Sequence, residues 1–301
     1  MKTRLSKNEI VLHITVLIWG FTGILGALIS VSAVNLVWYR VLIASISLLL
    51  YFKIKGKKLQ VTRSQLIQYI ATGGLVGLHW LLFFQSIKVS TVSVTLVCLS
   101  SLTLFTSFLE PIIKKERIAP IDIITGLIIM VGIGLIFTFE SDYVLGIILG
   151  LSCAVVASLF SIINSNLVKN NSATTISFYE MVGAFFWISI FILLFEPIDK
   201  GFILDKSDFI YLMLLGTICT AAAYVAGVAV MKELSAFKVA LVTNLEPIYG
   251  IILAWLFFGQ KEKMSWGFYL GAGIILGAIF LYPYFKKSIA NRRYVRRKTL
   301  N

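Results

Sequence analysis

A helix needs about 20 consecutive apolar residues to cross the hydrocarbon core of a bilayer. Such runs recur ten times in this chain, at 9–29, 34–52, 66–87, 91–113, 120–139, 144–168, 175–195, 208–230, 236–258 and 265–285. Lipid offers backbone amides and carbonyls no partners, so each run is predicted to be a helix that satisfies its own hydrogen bonds. The connections are mostly short, which predicts a compact bundle. Composition agrees: 58% of the 301 residues are hydrophobic and 14% are charged, with a mean hydropathy of +0.92. Soluble domains carry about 25% charged residues. The expected fold class is therefore an all-α polytopic membrane protein with ten transmembrane helices.

The net charge of +13 first suggests nucleic acid, but its distribution does not. With the N-terminus inside, 21 of the 27 Lys and Arg residues fall in segments on the same side. They include Lys53, Lys55, Lys57 and Lys58, then Lys114, Lys115 and Arg117, and the tail "KKSIANRRYVRRK". Lys88, Lys200, Lys206, Lys261 and Lys263 fall on the other side, and Arg40 sits within a span. Positive loops stay in the cytoplasm, so both termini are expected inside, in a bacterial cytoplasmic (inner) membrane. The tail is read as a topology anchor, with lipid binding as the alternative. The basic start and first apolar run resemble a signal peptide. That run is of spanning length and another follows at once, so it is read as an uncleaved first span. Cys98, Cys153 and Cys219 lie singly within apolar runs, which indicates neither disulfides nor a metal site.

The two halves match weakly. "VWYRVLIASISLLL" aligns with "SFYEMVGAFFWISIF", pairing Arg40 with Glu180 at an offset of 140. Lys88 pairs with Lys232, and Thr103 with Pro247, both at an offset of 144. "GLIIMVGIGLIF" aligns with "GAGIILGAIF" at an offset of 145. Five spans per half is an odd number, so the second half enters the membrane inverted. Inverted repeats are the usual plan of secondary transporters, with substrate held near the midplane between the repeats. The expected organisation is a first five-helix repeat at 1–140, a second at 141–285 and a basic cytoplasmic tail at 286–301.

The residues "ITVLIWGFTGIL", "WYRVLIASISLLL", "STVSVTLVCLSSLTLFTSFLEPIIKKERIAPIDIITGLIIMVGIGLIF" and "LVTNLEPIYGIILAWLFFGQKEKMSWGFYLGAGIILGAIFL" resemble the ten-helix EamA branch of the drug/metabolite transporter superfamily. Thr103 stands where that family commonly has Pro, and Gln260 where it commonly has Glu. The resemblance covers roughly residues 10–283. It implies small-molecule transport, often metabolite or amino-acid export, around a cavity built from the first four helices of each repeat.

Ionisable residues within a span cost about 2.5–3.5 kcal/mol on insertion scales, so each needs an account. Glu246 lies about 15 Å into span nine, near the midplane. Thr243, Glu246 and Gly250 share one helical face there. Glu246 is read as a cavity carboxyl able to carry a proton, or as a structural acid beside backbone freed by Pro247. Pro247 denies an amide to the Thr243 carbonyl and is expected to kink the span. His79, also central, is either bonded to a neighbouring span or a cavity-lining donor. Arg40 and Glu180 differ in depth by about 10 Å or more, so no direct bridge is expected. Each either faces one vestibule or, respectively, snorkels to the headgroups and favours a helix N-terminus.

Ser93, Ser100, Thr103 and Ser107 form a hydroxyl stripe on span four, and Cys153, Ala157, Ser161 and Asn164 a small face on span six. Such faces serve helix packing or ligand contact. Asn164, Asn166 and Asn244 are the amide candidates, since an amide needs several partners. Trp19, Trp80, Tyr179 and Tyr224 either pack or stack on an aromatic or cationic solute. Glu110, Pro111 and His13, near inner span ends, are read as structural or interfacial. Gly73-x3-Gly77, Gly146-x3-Gly150 and Gly273-x3-Gly277 serve packing within the fold or a homodimer seam.

No GxxxxGK[ST] loop or HExxH motif occurs. The leading expectation is a secondary transporter that is not an enzyme, with a small-molecule substrate, the lipid bilayer as partner, no nucleic acid and no cofactor beyond proton coupling. An intramembrane enzyme and a receptor-like or structural membrane protein are the alternatives.

Overall fold

The computed structural model describes residues 6–118, 120–195 and 202–298, with side chains described up to residue 285. Lys2, Arg4 and Lys200 lie outside the described residues, as do the side chains of the basic tail. Ten helical spans long and apolar enough to cross a membrane are present among the described residues. They are Lys7–Leu28, Ala33–Ile54, Arg63–Val89, Val92–Lys114, Pro120–Phe139, Ser141–Leu167, Ala173–Phe195, Lys206–Val230, Ala236–Glu262 and Trp266–Phe285. No edge departs from its expected position by more than four residues. The all-α polytopic expectation holds: the chain is an integral multi-pass membrane protein.

Polar residues at the span edges set where helices begin. Ser6 and Glu9 form a reciprocal capping box at the start of α1 (Lys7–Leu28), and Thr62 and Gln65 do the same for α3 (Arg63–Val89). Ser32 caps α2 (Ala33–Ile54) by accepting from the Asn35 amide. Each cap satisfies an amide that would otherwise be orphaned at the first turn.

Two spans are interrupted, at matching places. Span four divides into α4 (Val92–Leu99) and α5 (Leu102–Lys114) at Ser100 and Ser101. After α6 (Pro120–Phe139), α7 (Val144–Leu167), α8 (Ala173–Phe195), α9 (Lys206–Leu214) and α10 (Ala223–Val230), span nine divides likewise. Its pieces are α11 (Ala236–Thr243) and α12 (Leu245–Phe258), broken at Asn244. Thr91 caps α4 and Ser235 caps α11, and both first pieces are eight residues long. Lys115 ends α5 and Gly259 ends α12, each at φ 55°. Every one of these pairs is separated by 144 positions, the offset that pairs Lys88 with Lys232. At Gly259 ψ is −120°, a region open only to glycine, whereas Lys115 takes the ordinary left-handed conformation.

Span eight is irregular in another way. Leu215–Ala222, between α9 and α10, is a π-helix. The last helix, α13, runs from Trp266 to Lys298.

The halves interlock instead of sitting side by side. Helix α3 packs on α7 and α8, α1 on α12 and α10, and α2 on α8 and the π-helix. The main core therefore lies between the halves, while α6 and α13 pair around a second cluster that includes Ile129, Ile136, Phe268 and Ile275. Close approach there and elsewhere depends on glycine. A Cβ on Gly73 would stand 2.3 Å from the Glu180 carbonyl oxygen, so α3 and α8 meet backbone to backbone. Gly77 faces Ala184, and Gly146 and Gly150 face Ser90 and Cys98, so these two glycine pairs pack within the chain. Gly273 and Gly277 face open space.

Candidate functional site

A cavity of about 90 Å³ lies between the halves, at the level of both helix breaks. Seven spans line it, among them span one through Trp19 and Thr22, span six through Ser161 and Asn164, and span nine through Thr243 and Glu246. Val239 and Met231, at the end of the lining nearest the face where α1 begins, lie about 5 Å or less from the span ends there. Arg40, on the far side, stands about 10 Å from the opposite face.

Arg40 does not snorkel. It is 2% exposed, and its Nε donates to Thr220 Oγ1 at 2.6 Å. Its guanidinium carbon stands 4.0 Å from the centroid of the Trp80 ring, a cation–π arrangement. Nη1 has no hydrogen-bond partner among the described residues. The π-helix makes this geometry: Thr220 Oγ1 also donates to the Leu215 carbonyl, five residues back, at 2.6 Å. Gly216 in the same segment lets α2 approach closely, because a Cβ there would meet the Ile43 side chain at 2.6 Å. Single π-turns are frequent at functional sites for such reasons.

Glu246 lines the same cavity from the first turn of α12. The break at Asn244 turns the interior of span nine into a helix N-terminus, where a carboxylate is favoured by the local dipole. Among the described residues the Glu246 carboxylate has no hydrogen bond or ion pair. Arg40 lines the same cavity and is the cation that faces it. Thr243 joins it in the lining, but Gly250 does not: it packs against Leu96 and Gly20.

His79 both lines the cavity and bonds a neighbouring span, its Nδ1 lying 3.2 Å from the Cys153 carbonyl oxygen. Asn164 and Tyr224 line the cavity and hold Glu180 behind it. Tyr224 OH donates to Glu180 Oε2 at 2.9 Å, and Asn164 Nδ2 lies 3.3 Å from the same oxygen and 3.1 Å from the Tyr224 hydroxyl. Glu180 is fully buried and lies beyond the first turn of α8, so it is not an N-terminal acid. As expected, Arg40 and Glu180 form no bridge.

Other candidates fall outside the lining. Tyr179 donates to the Leu59 carbonyl at 3.1 Å, and its ring stacks near Tyr69. Asn166 is exposed beside Lys169. Ser100 donates to the Val97 carbonyl at 2.6 Å within the span-four break. Asn244 Nδ2 donates to Thr103 Oγ1 at 2.5 Å, so these two join the breaks without lining the cavity. Glu110 bonds Lys114 at 2.6 Å near its span end. Sequence reasoning missed Thr220 and Thr22, because a lone threonine in an apolar run carries no signal until its partner is known.

The two ends of the molecule are fastened unequally. At the face opposite the start of α1, Glu262 accepts from the Val92 amide at 3.0 Å and from Ser93 N and Oγ at 3.0 and 2.7 Å. Asp208 accepts there from Ser30 N at 2.9 Å and Ser30 Oγ at 2.5 Å, and Lys88 donates to the Ile29 carbonyl. At the near face Lys238 pairs with Glu9 at 2.5 Å, with side chains 46% and 21% exposed, Gln65 Nε2 donates to Asn171 Oδ1 at 2.7 Å, and the buried Asp122 accepts from Tyr282 away from the cavity, between α6 and α13.

The EamA-like transporter family model matches the chain twice, over residues 7–138 and 144–283. A protein of Clostridium kluyveri described as an uncharacterized transporter is 25% identical over 244 residues, covering 76% of this chain and 73% of its own length. A solved crystal structure aligns with a TM-score of 0.68 at 16% identity, over 93% of this chain and 98% of its own, which shows a shared fold. With a family match over both halves of a ten-span bundle, this chain belongs to the EamA-like transporter family.

Proposed function

We infer that this chain is a secondary transporter for a small amino-acid-like zwitterion, working by alternating access around the cavity between its halves. One observation carries the reading: Arg40, whose buried Nη1 has no partner among the described residues, and Glu246, whose carboxylate is unbonded, line the same cavity. A solute bearing its own carboxylate and ammonium answers both. Either group left alone in a buried site is expensive, so a partner of each sign is strongly favoured. Trp19, Trp80, Phe83 and Phe160 offer an apolar and aromatic surface for a side chain. The cavity's modest size favours a small one.

The distribution of Lys and Arg supports a cytoplasmic location for the near face, and so a bacterial inner-membrane orientation with both termini inside. The lining approaches that face while the far face is fastened by buried carboxylates. This supports loading from the cytoplasm, and hence export. Transport then requires the Glu262 and Asp208 contacts to part while the near face closes over Val239 and Met231.

Flux of labelled amino acids in proteoliposomes tests the reading. Exchange of a small neutral amino acid, lost when either its carboxylate or its ammonium is blocked, is the expected result. Flux of solutes lacking one of those charges at equal rate would overturn it, as would no flux across a broad panel.

A further inference from the structure

We propose that Glu180 is a proton-binding site, held apart from the cavity and linked to it through Asn164 and Tyr224. The inference deepens the transport reading above and rests on it for its role in the cycle.

Glu180 and Asn164 are both fully buried, and each keeps one oxygen without a partner among the described residues, Glu180 Oε1 and Asn164 Oδ1. Both are acceptors. The donors present, Tyr224 OH and Asn164 Nδ2, are already directed at Glu180 Oε2. The cluster is therefore one hydrogen short. A proton on Oε1 makes that atom a donor and leaves the Asn164 amide oxygen as an acceptor on the adjoining side chain. Buried polar networks are stable when fully satisfied and costly when partly so.

Among the described residues no cation answers this carboxyl. Helices α2, α3 and α10 pack against α8, and Asn164 reaches it from α7. The titratable groups around Glu180 are Tyr224 on α10, which donates to it, and Tyr69 on α3. Arg40 on α2 acts instead on Glu246, Cys219 and His79. Glu246 thus faces a cation across the cavity while Glu180, among the described residues, faces none, which separates a carboxylate that meets substrate from a proton carrier. A buried unpaired carboxylate neutralises by taking up a proton. Space argues the same way. Glu180 does not line the cavity, and the Gly73 approach leaves its helix in backbone contact with α3. A proton needs no volume, whereas a metal cation needs a shell of oxygen ligands.

The link to transport is direct. Asn164 and Tyr224 each show one side to the cavity and the other to Glu180. A solute group that hydrogen-bonds either of them withdraws a donor or acceptor from Glu180 and changes its hold on the proton.

Infrared difference spectra of the purified full-length protein, recorded across a pH titration, test the site without any substrate. A protonated-carboxyl carbonyl band that shifts in deuterium oxide is expected in the unmodified protein and in Glu246→Gln, and is expected to vanish in Glu180→Gln. Persistence of the band in Glu180→Gln, or its loss in Glu246→Gln alone, overturns the proposal. So does a band that disappears on adding sodium at fixed pH. If Glu180→Gln fails to give a monodisperse protein, Tyr224→Phe removes one donor to Oε2 and must displace the titration midpoint; an unmoved midpoint overturns the proposal. In proteoliposomes with labelled L-alanine as the probe, Glu180→Gln should keep exchange and lose accumulation driven by a pH gradient. Absence of flux in every protein would remove the transport reading while leaving the infrared assignment standing.

Discussion

The Asn244 side-chain amide donates to Thr103 Oγ1 at 2.5 Å, and this bond ties the interruption of span nine to that of span four. Both breaks lie at the level of the cavity, so the bond fixes one half-helix end against the other where substrate would sit. Nothing in the linear sequence pairs these residues, which are counterparts of neither each other nor a shared motif.

Removing either partner of that bond should loosen the joint. Asn244→Ala and Thr103→Ala are each expected to lower stability, and a double-mutant cycle by thermal unfolding in detergent should return a coupling of about 1 kcal/mol. Pro247→Ala, in contrast, should leave the break in place. Span four breaks at the matching position with Thr103 where span nine has Pro247, so the interruption does not require the proline.

Arg40→Lys should fail to replace arginine in substrate binding. A lysine ammonium cannot at once donate to Thr220 from Nε, lie flat over Trp80 and present a second nitrogen to the cavity. The expected loss in affinity is at least tenfold, about 1.4 kcal/mol, measured by calorimetry on folded protein. Unchanged affinity would remove Arg40 from the site.

The unequal fastening of the two faces gives opposite expectations for two acidic residues. Glu262→Gln replaces a carboxylate that accepts from three donors with an amide that can accept at one oxygen only. A loss of about 2 kcal/mol is expected, together with faster labelling of a Leu99→Cys reporter from the far face in a background without Cys98, Cys153 and Cys219. Glu9→Gln breaks an exposed pair and should leave the thermal unfolding midpoint close to that of the unmodified protein.

Gly73→Ala should destabilise the bundle out of proportion to one methyl group. The new Cβ would meet a carbonyl oxygen at 2.3 Å, and backbone cannot rotate aside as a side chain would. A loss of about 1–3 kcal/mol is expected from forced separation of α3 and α8. Gly273→Ala, facing open space, is the matched control and should be near neutral.

How much was legible follows from what kind of signal each feature leaves. The ten spans were readable because lipid demands about 20 apolar residues at a time, and their ends because caps are local. Lys88 with Lys232 and Thr103 with Pro247 gave the repeat register, and the backbone then matched it at both caps, both breaks and both positive-φ helix ends. Arg40, Glu246 and His79 were recognised from depth, since an ionisable group within a span needs a partner or a cavity, and Asn164 from the several partners an amide needs. Which need each one met was not recognisable. Tyr179 and Trp80 look alike as aromatics in apolar runs, yet Trp80 lies under Arg40 and Tyr179 bonds a loop carbonyl. Ser100 and Thr103 look like ligands and serve a helix break.

The sequence by itself determined the span number, the helix starts, the inverted repeat and the bias of positive charge, because each depends on neighbours within a turn or two or on the chemistry of lipid. Tertiary structure alone decided that Arg40 and Glu246 share a cavity while Glu180 stands behind it. Residues 40 and 246 are brought together by packing between inverted halves, and α-helical periodicity carries no information about which faces of distant helices will meet.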